Sequence, residues 1–399
     1  MKNTKKLFAM MLMLASVLFF ACDDDEKDTL SSDEAQQELS NLNTEMTTVM
    51  NDMQTSDGMA VFQMLISLPD PFEATDGTKS SKENDVLGKI ENYLLPNTML
   101  SKEKSVTGEV AFDFDAYKGV YTYINEYPYW TVTRGGDVIE INFPTTEANQ
   151  LSGTNDGQLT IFNYEETLIT ETDDYWGTYT YYSPTALDVE ATVNDVKIID
   201  IYMSAAWVTS GDAAGEPTSL DVDVYVIPFN FHVDFSHSGT AADINAWIEY
   251  DGEKIFSVGL DADFEDATMD SPTKIYGYIQ LFDVKFKATV KVKELEALME
   301  AQEADIPLYT DIEEFEVAFN ALINAEVEVN GAKAADIVAD FTTNASQYSI
   351  TVDDENGIYV NIMFVYGDGT TEAALPYFAS FLTMLNGLLD GLDSYYSGF

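Results

Sequence analysis

Residues 187–207 read LDVEATVNDVKIIDIYMSAAW, and this segment has the clearest local pattern in the chain. From Val189 to Val193, apolar residues alternate with polar ones, which is the period of a β-strand with one buried face. Asn194-Asp195 then supplies the residue types that a tight type I′ turn favours, because both central positions need a positive φ. After Lys197 the alternation resumes, so the segment predicts a β-hairpin.

The same hairpin pattern occurs twice more along the chain. The second turn is Asp251-Gly252 and the third is Asn330-Gly331, and a lysine follows each, Lys254 and Lys333. Three hairpins that agree in turn, lysine and apolar phase indicate an internal repeat. A further long strand is predicted after each hairpin, at about 220–235, 274–292 and 347–364.

These patterns predict an α+β fold that is mostly β. We expect a long curved antiparallel sheet over 105–370, a half-barrel-like meander of repeated hairpins. Helices are expected on one face of it: N-terminal helices within 31–100, a helical insertion at 294–320 and an apolar helix over 373–396. The last of these contains no charged residue from Ala373 to Leu389, which indicates burial against the sheet more than a membrane span. Residues 31–399 are expected to form a single folded domain.

The N-terminus has the pattern of a secretory signal peptide over residues 1–21. Three lysines precede an apolar run from Leu7 to Phe20, and Ala21 stands before Cys22, the only cysteine. This segment resembles the lipobox of lipoproteins processed by signal peptidase II, with Phe19 where that box usually has Leu. The resemblance implies lipidation of Cys22 and attachment to a membrane through that lipid. The alternative is an ordinary secretory signal, which would leave a free cysteine.

An acidic run, Asp23–Asp28, follows the cysteine directly. It resembles the export signal that sends Bacteroidota-type lipoproteins to the outside of the outer membrane, which implies a surface-exposed protein of the cell envelope. In other Gram-negative groups, Asp after the lipidated cysteine favours retention in the inner membrane. The run also reads as a solvated tether over 22–30.

The charge balance excludes two classes of partner. The chain has 70 acidic and 19 basic residues, a net charge of −51, and Arg134 is its only arginine. Nucleic-acid binding needs Lys and Arg to displace counterions from phosphates, so we expect no nucleic acid as a partner. Attraction to anionic lipid headgroups is disfavoured for the same reason, which leaves the lipid on Cys22 as the expected membrane contact.

The sequence indicates the location of the protein more clearly than its function, for which three hypotheses follow. The expected sheet with covering helices resembles the half-barrels of lipoprotein carriers. This resemblance implies that the protein captures an apolar or lipid-like ligand or, failing that, has a purely structural role. The alternative is glycan binding at the cell surface, and a carboxylate-based hydrolase is the third hypothesis. The common nucleophile, metalloprotease, P-loop and dinucleotide motifs are absent, so the sequence predicts no catalytic residue, metal or cofactor.

Two aromatic-rich segments supply the candidate ligand-binding residues. They are Tyr129, Trp130, Tyr175 and Trp176, whose rings could stack on sugars or form ordinary cross-strand pairs. The two histidines, His232 and His237, point to opposite faces of one predicted strand, and this spacing disfavours a shared metal.

Two charged stretches have simple structural interpretations. The acidic stretch at 261–266 could ligate calcium but reads first as a solvated strand end. The lysines at 285, 287, 291 and 293 are expected to pair with Asp or Glu on a neighbouring strand.

Overall fold

The computed structural model describes residues 33, 37, 48–49, 52, 55–69, 71–72, 113–126, 129–173, 177–211, 214–266, 271–302, 309–346, 349–353 and 357–377. The predicted signal peptide and tether lie outside these residues, as do Cys22, Tyr175 and Trp176. Of the predicted C-terminal helix, only its start is described, with residues 375–377 helical and Pro376 in the first turn.

Seventeen strands lie in the described part of the chain. They are β1 Gly119–Tyr123, β2 Trp130–Arg134, β3 Ile139–Phe143, β4 Gly157–Asp173, β5 Gly177–Val193, β6 Val196–Trp207, β7 Pro217–Val226, β8 Phe229–Ser238, β9 Ala241–Tyr250, β10 Glu253–Phe264, β11 Pro272–Leu281, β12 Val284–Val290, β13 Ile323–Val329, β14 Ala332–Thr342, β15 Ile350–Asp353, β16 Ile358–Tyr366 and β17 Thr371–Ala373.

Five helices have described bounds: α1 Asp57–Ser67, α2 Phe114–Tyr117, α3 Glu147–Ser152, α4 Val292–Gln302 and α5 Ile312–Asn320. The predicted insertion is therefore a pair of helices, and α5 begins where the Asp311 carboxylate accepts a hydrogen bond from the Glu313 amide at 2.9 Å. Among the described residues, no helix combines the length and apolar character that crossing a membrane requires.

The described residues form two compact units. Unit A comprises the described residues of 51–236 and 248–253, and unit B comprises those of 33–49, 237–247 and 254–377. In unit A the strand order is β2-β1-β3-β4-β5-β6-β7-β8, antiparallel except for the parallel pair β1–β3. In unit B the order is β10-β11-β12-β13-β14-β16, antiparallel throughout, and β15 and β17 also pair with β16. The predicted mostly β, antiparallel fold class is confirmed.

All three predicted turns are present with the backbone that their residues favour. Both central residues have positive φ in each: 49° and 65° at Asn194-Asp195, 52° and 82° at Asp251-Gly252, and 52° and 74° at Asn330-Gly331. The lysine after the first and third turns bridges a Glu seven residues earlier and an Asp three residues later, at N–O distances of 2.6–3.4 Å. In the second turn Trp247 and Ser257 occupy those positions, and the Lys254 ammonium lies 4.0 Å from the Trp247 ring centroid. The first and third hairpins therefore share side-chain contacts as well as turn chemistry.

The prediction of one further long strand after each hairpin was wrong. Residues 220–235 form the hairpin β7–β8, residues 274–292 form β11–β12 and the start of α4, and residues 347–364 contain β15 and β16. The first two turns, at Ile227-Pro228 and Phe282-Asp283, lack the Asn-Gly type of signal. Because apolar residues continue across them, the alternating pattern did not show where one strand ended.

The second repeat buries a different set of residues from the first. In β6 the predicted residues Ile199, Ile201 and Met203 are buried. In β10 the buried residues are Ile255, Ser257, Gly259 and Ala262, and the predicted Phe256 and Val258 are half-buried. The apolar phase read from the sequence is thus correct for β6, but in β10 it is one position out over the first part of the strand and correct only at Ala262.

Gly259 explains part of this difference. A Cβ built at this position would lie 2.2 Å from Tyr278 Cε1 and 2.9 Å from Asn245 Oδ1. The Tyr278 ring therefore lies directly over the glycine backbone, and β10 accommodates it only because residue 259 has no side chain.

Replacing Gly259 by Ala is expected to displace Tyr278 and to lower the free energy of unfolding by about 1–3 kcal/mol. In a Tyr278→Ala background the same substitution should cost much less, because only the flexible Asn245 amide then has to move. Chemical denaturation of the four variants of this double-mutant cycle measures the difference. Equal costs in both backgrounds would show that Tyr278 is not the obstacle.

Candidate functional site

The two described candidate residues from the aromatic-rich segments differ in their exposure to solvent. Tyr129 is 39% exposed, whereas Trp130 is only 3% exposed. The Trp130 Nε1–H donates to the Pro69 carbonyl at 2.8 Å, and its ring meets Tyr123 edge-on at a centroid distance of 5.3 Å. The contacts of Trp130 are those of a core residue.

A different group of side chains comes together in unit A. Strands β5–β8 place it on the side of the sheet opposite the buried core, and we call it the acidic face. Its three cross-strand rows are Asp188, Tyr202, Asp223 and His232; Glu190, Asp200, Tyr225 and Asn230; and Ser204, Asp221 and Asp234.

His232 is the centre of one half of the acidic face. Its Nδ1 lies 3.1 Å from Asp223 Oδ2, and its Nε2 lies 3.7 Å from Asp234 and 3.9 Å from Asp221. The side chain of His232 is 14% exposed, and the amide of Asn230 donates to Asp223 at 3.4 Å. Alternation along β8 puts Asn230, His232 and Asp234 on one face, and the β7–β8 hairpin adds Asp221 and Asp223 of β7.

Lys197 orders the other half of the acidic face. Its ammonium lies 2.7 Å from both Glu190 and Asp200. Hydrogen bonds to Asp200 and Glu190 raise the pKa of Lys197, so the ammonium stays charged through the neutral range. The carboxylates around the centre of the face are thus held in place by one lysine and one histidine.

Tyr202 lies between these two halves and is the most exposed ring of the face. It is 48% exposed, and its strand neighbours are Asp188 on one side and Asp223 on the other. The residues before and after it in β6, Ile201 and Met203, are buried on the opposite side of the sheet. A large aromatic ring that points into solvent among carboxylates contributes nothing to the core, which makes it the functional candidate that sequence analysis missed. The sequence signal that could have identified Tyr202 is that an aromatic residue occupies a polar position in the alternating pattern of β6.

Unit B has a cluster of charged side chains that, unlike those of the acidic face of unit A, are buried. Lys287 Nζ lies 2.7 Å from Glu326 and 3.0 Å from Glu328, and all three residues are less than a tenth exposed. Burial alone would lower the pKa of Lys287, but hydrogen bonds to the two glutamates outweigh it and raise the pKa. For Lys287 the expected pairing with acids on a neighbouring strand is confirmed. Lys293 instead pairs with Glu265, which follows β10, and the Lys285 ammonium lies 4.0 Å from the Tyr278 ring centroid.

Two aspartates meet beside this face. A hydrogen bond between the Asp243 and Asp261 carboxyl groups, together with burial and charge repulsion, raises the pKa of Asp243 to about 6. Asn245 also donates to Asp243 at 2.9 Å. Asp261 was part of the possible calcium stretch at 261–266; within the described residues, no three acidic, histidine or cysteine side chains are placed to hold a metal ion.

The raised pKa of Asp243 sets the sign of a pH effect. Between about pH 4 and 6 the folded protein keeps a proton that the unfolded chain releases, so the contribution of Asp243 to stability falls as pH rises through that window. Asp243→Asn is therefore expected to raise the melting temperature at pH 7 and to change it little at pH 4. Asp261→Asn should act in the same way, since it removes the same repulsion. A lower melting temperature for Asp243→Asn at pH 7 would contradict the assignment.

The contact between helix and sheet in unit B bears on the apolar-ligand hypothesis. Phe315 and Phe319 of α5 meet Phe341 of β14 edge-on, each at a centroid distance of 5.1 Å. All three rings are buried. Here the helix packs directly on the sheet, ring against ring, so this contact leaves no space for an apolar ligand.

Comparisons with known proteins add little to this description. No protein-family model and no curated protein matches the chain. Among solved structures, a porin-like protein from Bacteroides vulgatus ATCC 8482 matches with 12% identity and a TM-score of 0.19, over 52% of this chain and 90% of that chain. A TM-score this low does not establish a common fold.

Proposed function

We propose that this protein is attached to the bacterial outer membrane by lipid on Cys22 and binds a glycan on the acidic face of unit A. The observation that carries the binding proposal is the Tyr202 ring, 48% exposed in the middle of a face of carboxylates. The lipid attachment and the surface address are supported by the lipobox-like segment before Cys22 and by the acidic run after it.

The chemistry of the acidic face suits a sugar. The apolar face of a sugar ring can stack on an exposed tyrosine, and sugar hydroxyl groups donate hydrogen bonds to carboxylates. Asp188 and Asp223 flank Tyr202 directly, and His232 holds Asp223 in position. A ligand would therefore meet acceptors that are already oriented, which reduces the entropy lost on binding.

The charge of the face narrows the glycan class. It has six carboxylates, at residues 188, 190, 200, 221, 223 and 234, and one lysine, Lys197, that is already paired with two of them. An anionic polysaccharide would be repelled, so the proposed ligand is a neutral glycan. We therefore favour glycan binding over capture of an apolar ligand. The direct packing of the α5 rings on Phe341 also argues against an apolar cavity at that contact.

The test is titration of the protein with a panel of neutral oligosaccharides, followed by the Tyr202→Ala variant. Losing the ring is expected to weaken binding by about tenfold to a hundredfold, using about 1–3 kcal/mol for a stacking contact. Tyr202→Phe should retain most of the affinity, and Tyr129→Ala, the matched control for an exposed tyrosine, should retain all of it. Equal binding by the Tyr202→Ala variant and the unaltered protein would overturn the proposal.

The same titrations separate binding from hydrolysis. A glycan recovered intact after long incubation indicates a binding protein, and shortened products would favour the carboxylate-based hydrolase.

Lipid attachment has its own test. Mass spectrometry of the protein from its native membrane is expected to show an N-terminal diacylated cysteine at residue 22, and the Cys22→Ser variant should be released from the membrane fraction. An N-terminus with an unmodified thiol would refute lipid attachment and leave the glycan proposal untouched.

A further inference from the structure

Arg134 is the only arginine in the chain, and it has an unusual setting in unit A. It ends β2, and its guanidinium lies over two rings, with its Cζ 5.5 Å from the Tyr117 centroid and 5.3 Å from the Tyr121 centroid. One guanidinium nitrogen also donates a hydrogen bond to the Tyr121 hydroxyl. Cation–π contact and a hydrogen bond together fix the direction of the guanidinium plane.

The two rings beneath Arg134 are themselves firmly held. Tyr121 is fully buried, and its hydroxyl donates to the Tyr117 carbonyl at 2.7 Å. The Phe72 ring meets both tyrosines edge-on, at centroid distances of 5.3 and 5.2 Å. The guanidinium therefore rests on a rigid base, although Arg134 itself is exposed.

No carboxylate of the described residues pairs with Arg134, although the chain has 70 acidic residues. Five described lysines do have acidic partners: Lys118, Lys197, Lys287, Lys293 and Lys333. Arg134 faces Gly119, which in turn faces Ile139 on the apolar side of the sheet of unit A, away from the acidic face. The next two residues, Gly135 and Gly136, are exposed as well, and a Cβ at either would meet nothing within 4 Å.

We propose that Arg134 binds an oxyanion, a carboxylate or a phosphate group. A guanidinium carries five N–H donors in a planar fork that matches the two oxygens of such a group, and the described contacts use one of its nitrogens. In a protein of net charge −51, an exposed and oriented arginine is where an anionic group can be accepted. This site is separate from the proposed glycan site, because the two lie on opposite sides of the sheet of unit A.

The simpler role for Arg134 is to cover the rim of the core, with its stem on Tyr117 and Tyr121. That role predicts a loss of stability on substitution but no saturable response to anions. The two roles are therefore distinguishable by binding measurements.

Because the chain has a single arginine, anion binding at Arg134 can be measured by NMR without resonance assignment. Protein labelled with ¹⁵N-arginine gives one side-chain Nε–H resonance in the NMR spectrum, and it reports Arg134 alone. Titration with inorganic phosphate and, separately, with galacturonate at constant ionic strength is expected to shift this resonance to saturation with at least one of them. The anion that acts identifies phosphate or carboxylate as the ligand group. A shift no larger than sodium chloride causes, with both anions, would overturn the proposal.

Variants give the second measurement. By calorimetry, Arg134→Lys is expected to bind the active anion at least about tenfold more weakly, because it keeps the charge but loses the fork. Lys118→Gln, the matched control, removes a neighbouring charge and should bind as the unaltered protein does. Equal affinity for Arg134→Lys and the unaltered protein would also overturn the proposal, and the NMR titration stands even if this variant folds poorly.

Discussion

Replacing Lys287 by Met is expected to lower the free energy of unfolding by about 3–5 kcal/mol. The ammonium lies between Glu326 and Glu328, and all three side chains are almost fully buried. Removing the lysine leaves two carboxylates in a place with little water. No other described cation lies as close to them as Lys287 does. Lys333 reaches Glu326 only at 3.4 Å, so it compensates in part.

Lys197→Met is the matched control for this experiment. Lys197 also joins two carboxylates, but its side chain is 44% exposed, so water can replace the lost contacts. Its substitution is expected to cost no more than about 1 kcal/mol. Chemical denaturation of both variants gives the comparison. Similar losses for the two lysines would show that burial does not control the strength of the Lys287 cluster.

The second large effect is expected at Phe341 in β14. Phe341→Ala should lower the free energy of unfolding by about 3–5 kcal/mol, because two rings of α5 lose their contact and a cavity is left. Val338→Ala, a half-buried position on the other face of the same strand, should cost about 1 kcal/mol or less.

The Phe341 result also discriminates between functions. If α5 covered a ligand cavity, Phe341→Ala would have a small cost, and the unaltered protein would bind an apolar fluorescent dye in competition with lipids. A large cost with no dye binding by the unaltered protein is the result that direct packing predicts.

Local signals explain how much of the fold could be read from the sequence. The turns at Asn194, Asp251 and Asn330 were predictable because positive φ is encoded by two adjacent residues. The turn at Phe282-Asp283 was not, because Phe282 adopts a φ of 49° without belonging to the residue types that favour it. Its conformation is imposed by the pairing of β11 with β12, which is a property of the folded sheet.

The candidate site was less predictable than the fold for the same reason. Placing Asp223 beside His232 requires the register of β7 against β8, and that register depends on a turn without a sequence signature. For Trp130 the sequence left sugar stacking and cross-strand pairing open, and its indole donates to Pro69, 61 residues earlier. Burial and partner choice for such rings are set by contacts between distant parts of the chain.

We propose that a neutral glycan binds the acidic face around Tyr202. Hydroxyl-radical footprinting with mass spectrometry measures it directly, because oxidation reports the exposure of individual side chains with and without the glycan. We predict that the glycan protects Tyr202 and His232 from oxidation and leaves the exposed rings of Tyr129 and Phe162 unchanged. Unchanged oxidation of Tyr202 at a saturating glycan concentration, or protection confined to Tyr129, would show that the glycan does not bind the acidic face.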